Sequence, residues 1–235
     1  MSPVKSVNHV PGLYRRIASR RVDQGEPAED GGEGPLVKKG TAAQVFIIES
    51  LNLNDEREER FEGRILKQIL RLSGKEASYY YIRTRRELEQ IISEFAKSGF
   101  RYLHISCHGN ASGMATTFDW MNLAELGSIL GPHLAGRRLF LSACEMTTKD
   151  LARETLSGTG CYSVIGPADE VSFSDAALLW SSFYHLMFRT NESRMQRKWI
   201  LAHLRSTATL FGVRMNYFSR QNGQIRTTLV TPEAL

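Results

Sequence analysis

Short apolar runs alternate with segments of helical period along most of the chain. The runs at 43–48, 78–82, 102–108, 138–143 and 162–167 are each a few residues long and bounded by polar or turn-forming positions, as buried strands are. After the first run, Asn52 and Asn54 stand where a helix cap is expected, and Phe61, Ile65, Leu66, Ile69 and Leu70 fall on one helical face. Thr84 and Glu87 make a capping box for a helix carrying Leu88, Ile91, Ile92 and Phe95, which Gly99 ends. Asn122 caps a helix with Leu123, Leu126, Ile129 and Leu130, closed by Gly131-Pro132. Thr147 or Thr148 opens another, to about residue 156. Ser174-Asp175 caps a long apolar helix to 188, and a basic helix follows over 193–211. Residues 110–121 read as a loop or small hairpin, and 225–230 as a last, edge strand. Strand and helix in alternation predict an α/β fold: a three-layer sandwich with a mostly parallel central sheet of about six strands and helices on both faces.

Composition changes this picture little. The chain has 235 residues, 42% hydrophobic and 23% charged, enough for one α/β domain over 41–235 with an extension at 1–40. The extension is basic up to Arg21, then acidic from Asp23 to Glu33 among Gly and Pro, and reads as flexible. No apolar run approaches a membrane span, and the first residues lack the apolar core of a secretory leader. Three unevenly spaced cysteines do not make a disulfide framework, so a reducing cytoplasm is expected. The net charge of +5 is read as scattered solvated Arg and Lys, since no basic-aromatic module points to a specific nucleic acid. The acidic run Asp55-Glu56 and Glu58-Glu59 suits a helix N-terminus and is read as a solvated face.

The chemistry lies at the ends of two strands. Tyr102-Leu103-His104-Ile105-Ser106-Cys107-His108-Gly109 ends on a His-Gly pair, and Arg138-Leu139-Phe140-Leu141-Ser142-Ala143-Cys144 ends on a cysteine. If the strands are parallel neighbours, both side chains arrive at one carboxyl edge, where open α/β sheets form their crevice. An imidazole beside a thiol can take its proton and favour the thiolate nucleophile. The backbone N–H groups of Gly109 and Cys144 are candidate donors to an acyl oxyanion.

These paired motifs, with the segment that follows at 162–188, resemble the CHAT branch of the caspase-like (clan CD, separase-related) cysteine peptidases, from about Thr41 onward. The resemblance implies that His108 and Cys144 are catalytic and that a backbone carbonyl orients His108; no carboxylate partner stands out in the sequence. It implies a protein substrate and no cofactor. It also implies activation by a partner protein or small nucleotide signal in a bacterial stress or antiphage system. The motif departs from caspases proper, with Ser142-Ala143-Cys144-Glu145-Met146 where they carry Gln-Ala-Cys-x-Gly. Arg-specific relatives carry Asp where Ser142 stands, so cleavage after Arg or Lys is not implied. In relatives the loop at 168–173 helps wall the substrate pocket, which makes Asp169 and Glu170 candidates for holding a basic substrate side chain.

Other readings weigh against these. His104, His108, Cys107, Cys144 and Cys161 match no common zinc spacing. His104 reads as a core histidine with a hydrogen bond, and Cys107 and Cys161 as small buried hydrophobes. The alternative for the whole chain is a non-catalytic scaffold that binds a partner through its sheet edge or basic helix.

Overall fold

A computed structural model describes residues 41–233; the expected extension at 1–40 lies outside the described residues. The chain runs β1 (Ala42–Ser50), α1 (Leu53–Arg57), α2 (Glu62–Leu72), β2 (Ala77–Tyr81), α3 (Arg85–Ser98), β3 (Phe100–Asn110), β4 (Gly113–Ala115) and β5 (Trp120–Asn122). It continues through α4 (Leu123–Leu130), β6 (Arg138–Ser142), α5 (Lys149–Leu156), β7 (Ser163–Pro167), α6 (Phe173–Thr190), α7 (Arg197–Phe211), β8 (Met215–Gln221) and β9 (Gln224–Val230). The main sheet has the order β2-β1-β3-β6-β7-β8-β9. Its first five strands are parallel, β8 runs antiparallel to β7, and β9 antiparallel to β8.

The sheet buries both faces, which is why its strands read as nearly continuous apolar runs. On one side α3, α4 and α5 bring Leu88, Ile92, Leu126, Leu130 and Leu151 onto Phe46, Leu103, Leu139 and Leu141. On the other, α2, α6 and α7 bring Leu66, Trp180, Phe183, Tyr184 and Leu204 onto Ile47, Tyr102 and Phe140. The architecture is the expected α/β sandwich, with one strand more than the six foreseen. That strand is β8, which enters from Gly212 in the left-handed region at φ 67° and leaves through Asn222-Gly223, at φ 49° and 76°. Asn-Gly at positive φ is a strong hairpin signal, and it pairs β8 with the expected edge strand β9.

Most helix caps lie where the pattern put them. Thr84 and Asn122 form full capping boxes with Glu87 and Glu125. Thr148 caps α5, accepting from the Leu151 N–H. Two starts are shifted. Ser172, not Ser174-Asp175, caps α6, its hydroxyl accepting from the Asp175 N–H at 3.1 Å. The basic helix begins at Arg197 rather than 193.

One glycine decides how the chain leaves β6. A methyl group on Gly166 of β7 would lie 2.2 Å from Thr147 Oγ1 and 2.6 Å from the Leu141 carbonyl oxygen. The segment after Cys144 therefore crosses β7 only because position 166 has no side chain. Gly166→Ala is expected to destabilise the fold by about 1–3 kcal/mol, as overpacking does. Urea unfolding would read this as a lower midpoint with an unchanged slope.

Candidate active site

The register of β3 with β6 brings the two sequence motifs together. Tyr102 lies beside Arg138, His104 beside Phe140 and Ser106 beside Ser142. Two residues beyond that last pair come His108, still in β3, and Cys144, just past the end of β6, so both leave the same carboxyl edge of the sheet. Side-chain alternation puts His104, Ser106 and His108 on the face under α2 and α6. Cys107 points to the other face and is buried in the opposite core.

His108 does not depend on a backbone carbonyl for its orientation. Its Nε2 lies 2.6 Å from Asp55 Oδ2. Asp55 is nearly buried, with 7% of its side chain exposed. The carboxylate is itself held on all sides: the Asn52 amide donates to Oδ2 at 2.6 Å and Arg60 to Oδ1 at 3.0 Å. Asn52 is in turn fixed as the cap of α1, its Oδ1 accepting from the N–H groups of Asn54 and Asp55, each at 2.9 Å. Nε2 also lies 3.1 Å from the Asn52 amide nitrogen; the shorter contact, to a carboxylate, assigns the proton to Nε2 and leaves Nδ1 as the basic nitrogen. The ring is also held edge-on against Phe173, centroids 5.5 Å apart.

Reading the acidic run as a solvated face is therefore corrected in part. Glu58 and Glu59 are exposed, but Asp55 is buried because its helix starts at the carboxyl end of β1, directly beside β3. A signal for it was present: Asn52 caps the helix and Asp55 falls at its third residue, immediately after a central strand.

Cys144 is partly exposed, and its thiol donates to the Val171 carbonyl at 3.8 Å. Val171 lies two residues before Phe173, so thiol and imidazole flank the same short segment leading into α6. Glu145, just after the cysteine, has φ 53°. This left-handed conformation is uncommon for a residue with a side chain, and after it Met146 enters the core. The other two thiols differ in kind. Burial raises Cys107, and burial pushes Cys161 up to about 12.

Gly109 continues β3 into the β4 hairpin. Asn110 and Gly113 flank the two-residue turn, and Gly109 pairs with Met114. Residues flanking such a turn form the hydrogen-bonded pair, and alternation makes the next pair non-hydrogen-bonded. The Gly109 N–H is thereby directed away from β4. The hairpin lies on the β1 side, where the Thr117 N–H donates to Ser50 Oγ and the Thr117 hydroxyl to the Leu51 carbonyl. The Gly109 N–H thus points toward the β6 side, where Cys144 stands.

Asp169 has a partner of its own. Arg214 engages it with two donors, Nε at 2.5 Å from Oδ2 and Nη2 on Oδ1, and holds its carboxyl below the usual range. Glu170 is exposed. A cavity of about 550 Å³ opens elsewhere at this edge, lined by Arg60, Phe61, Ile65, Phe173 and Ala177 among others. It adjoins the His108 ring through Phe173, and its apolar groups (Phe61, Ile65, Phe173 and Ala177) are interspersed with the polar side chains of Glu59, Arg60, Ser172 and Ser174. Among the described residues, no group of three or more His, Cys, Asp or Glu is arranged to hold a metal ion. No helix among them is long and apolar enough to cross a membrane.

No family model and no curated protein matches the chain. Among solved structures, caspase-1 from Spodoptera frugiperda is similar at a TM-score of 0.49 and 14% identity, over 83% of this chain and 85% of that one. The Arg-specific cysteine proteinase gingipain R is similar at 0.46 and 12%, over 66% of this chain and 39% of its own.

Proposed function

We propose that the protein is a cysteine endopeptidase in which Cys144 is the nucleophile and His108 its base. The observation that carries this reading is the convergence of both side chains at the carboxyl ends of adjacent parallel strands, with the imidazole fixed by buried Asp55.

In this mechanism Nδ1 of His108 takes the Cys144 proton as Sγ bonds to the scissile carbonyl carbon. The N–H groups of Gly109 and Cys144 hold the oxyanion. Collapse of the tetrahedral intermediate breaks the C–N bond, and the imidazolium gives its proton to the leaving amine. Water then attacks the thioester, losing a proton to the same nitrogen, and the thiol is restored. Asp55 keeps Nε2 protonated and the ring aimed throughout. The thiol must first leave the Val171 carbonyl for the imidazole, a tightening that substrate binding commonly produces.

The substrate is a protein segment. Phe61, Ile65 and Phe173 in the cavity support an aliphatic or aromatic side chain near the cut. Asp169 would select a basic side chain only if that side chain displaced Arg214, whereas Glu170 is exposed and is not engaged by Arg214. The motif resemblance supports the finer reading of a CHAT-type, caspase-like peptidase of the bacterial cytoplasm, switched on by a partner protein or nucleotide signal during stress or phage attack.

The test pairs the wild-type protein with Cys144→Ala on a mixed peptide library, with cleavage sites read by mass spectrometry. Cleavage by wild type alone is expected, with iodoacetamide labelling Cys144 ahead of buried Cys107 and Cys161. Full cleavage by Cys144→Ala would overturn the mechanism. Absence of both cleavage and selective labelling would favour a scaffold.

A further inference from the structure

Beneath the two reactive residues a single carboxylate joins their strands. Glu62, the first residue of α2, is 3% exposed. Its Oε2 accepts from the Ser106 hydroxyl at 3.0 Å and from the Ser142 hydroxyl at 2.8 Å. Ser106 stands two residues before His108, and Ser142 two residues before Cys144. One oxygen atom thus gathers the strand ends that carry the base and the nucleophile, from the face on which the imidazole stands.

The carboxylate is in turn held in place. Its Oε1 faces Nε2 of buried His104 at 3.4 Å, a contact in which neither atom makes a hydrogen bond, and His104 Nδ1 lies 3.2 Å from the Tyr184 hydroxyl of α6. The start of α2 is seated on the sheet by Glu49 of β1, which accepts from the Gly63 N–H at 2.8 Å and from the Tyr79 hydroxyl at 2.7 Å. Gly63 allows this close seating, since a methyl group there would lie 2.9 Å from Tyr79 Cε2 and 3.0 Å from Ile47 Cγ2. Strands β1, β3 and β6 are therefore tied to one helix start. Hydrogen-bonded apolar sheets need no such device for stability, and burying this much polar chemistry in a core is costly unless it is satisfied.

We propose that Glu62 is a positioning residue for the dyad, clamping Ser106 and Ser142 so that His108 and Cys144 keep their height and spacing. The proposal rests on the peptidase reading. Glu62 touches no reacting atom; it acts through the two serines. Displacements of about 1 Å at such a site cost on the order of 10²-fold in rate, so a clamp on both strands has a large effect for a small motion.

The readout is the alkylation rate of Cys144 by iodoacetamide in the full chain at fixed pH, with and without His108→Ala, followed by peptide mapping. The decisive variant replaces the carboxylate and both hydroxyls with apolar groups, E62L/S106A/S142A; removing the serine donors together with their acceptor limits the cost, and His104 keeps its Tyr184 partner. In the wild-type background His108→Ala is expected to slow alkylation at least about tenfold. In the folded triple variant the same substitution is expected to change it less than about twofold, because base and thiol no longer register. Glu62→Gln keeps an oxygen for both hydroxyls and is expected to retain the His108-dependent rate. Thermal unfolding of each variant separates loss of fold from loss of position. Should the triple variant fail to fold, Ser106→Ala and Ser142→Ala singly are read the same way: a reduced His108 dependence supports the clamp, and an unchanged one overturns it. A triple variant with the full His108 dependence sinks the clamp and leaves the peptidase intact. No His108 effect in the wild-type background sinks the dyad itself.

Discussion

Asp55→Asn is expected to lower kcat for peptide cleavage on the order of 10²–10³-fold, within the range general acid–base catalysis contributes, while KM stays nearly unchanged. The carboxylate does not touch substrate; it sets which imidazole nitrogen is basic. Oδ2 now receives the Asn52 amide and His108 Nε2–H, and Oδ1 receives Arg60. Three donors converge on one group that has only acceptors. An amide brings two N–H donors into that site. If its nitrogen faces His108, it donates to Nε2, moves the ring proton to Nδ1 and blocks the nitrogen meant for the thiol. If its oxygen faces His108, the NH2 group meets the Arg60 guanidinium instead. Either arrangement removes transition-state stabilisation rather than substrate binding, which is why the loss falls on kcat. Unchanged kcat in a folded Asp55→Asn protein would mean that His108 is oriented by something else. A circular dichroism melt is the necessary control, because Asp55 is buried and also holds Asn52, the cap of α1.

The parallel sheet, and the placement of His108 and Cys144 at one edge of it, were legible because they depend on local pattern. Five apolar runs, each ending in turn residues, and capping boxes at Thr84 and Asn122 specify β-α-β units with little ambiguity. Given such units, the handedness of crossovers sets which strand ends meet, and His108 and Cys144 follow. Asp55 was hidden for the opposite reason. A carboxylate in a first helical turn is usually solvated and favoured by the dipole, and only the placement of β1 beside β3 turns it inward. Glu62 was hidden in the same way: nothing local distinguishes a helix-starting glutamate that points to solvent from one that points at two serines 44 and 80 residues away. Strand β8 is different. Its Asn222-Gly223 signal was present, but Met215–Gln221 reads as mixed polarity because only part of it is core: Met215, Tyr217 and Phe218 are buried, whereas Arg220 is exposed and Asn216 and Gln221 are half-buried.

Gly109→Ala is expected to reduce kcat by about 10²-fold, the typical cost of losing one oxyanion donor, equivalent to about 2.7 kcal/mol. The added methyl group would lie 2.9 Å from the Gly113 carbonyl oxygen and 3.2 Å from Met146 Sδ. The thioether can swing aside; the carbonyl belongs to the paired strand β4 and cannot move without opening the hairpin. The strand end must therefore shift toward the side on which its free N–H lies. In the proposed mechanism that N–H is the donor to the acyl oxygen formed on Cys144. The shift spoils the donor geometry more than the affinity for a long peptide, which is spread over many contacts, so the loss should appear in kcat. Alkylation of Cys144 has no oxyanion to stabilise, so it should fall much less than kcat even though His108 adjoins the shifted residue. A parallel fall in alkylation would place the damage in the dyad rather than in the oxyanion site. Unchanged kcat would remove Gly109 from the donor pair and leave the Cys144 N–H to be tested alone.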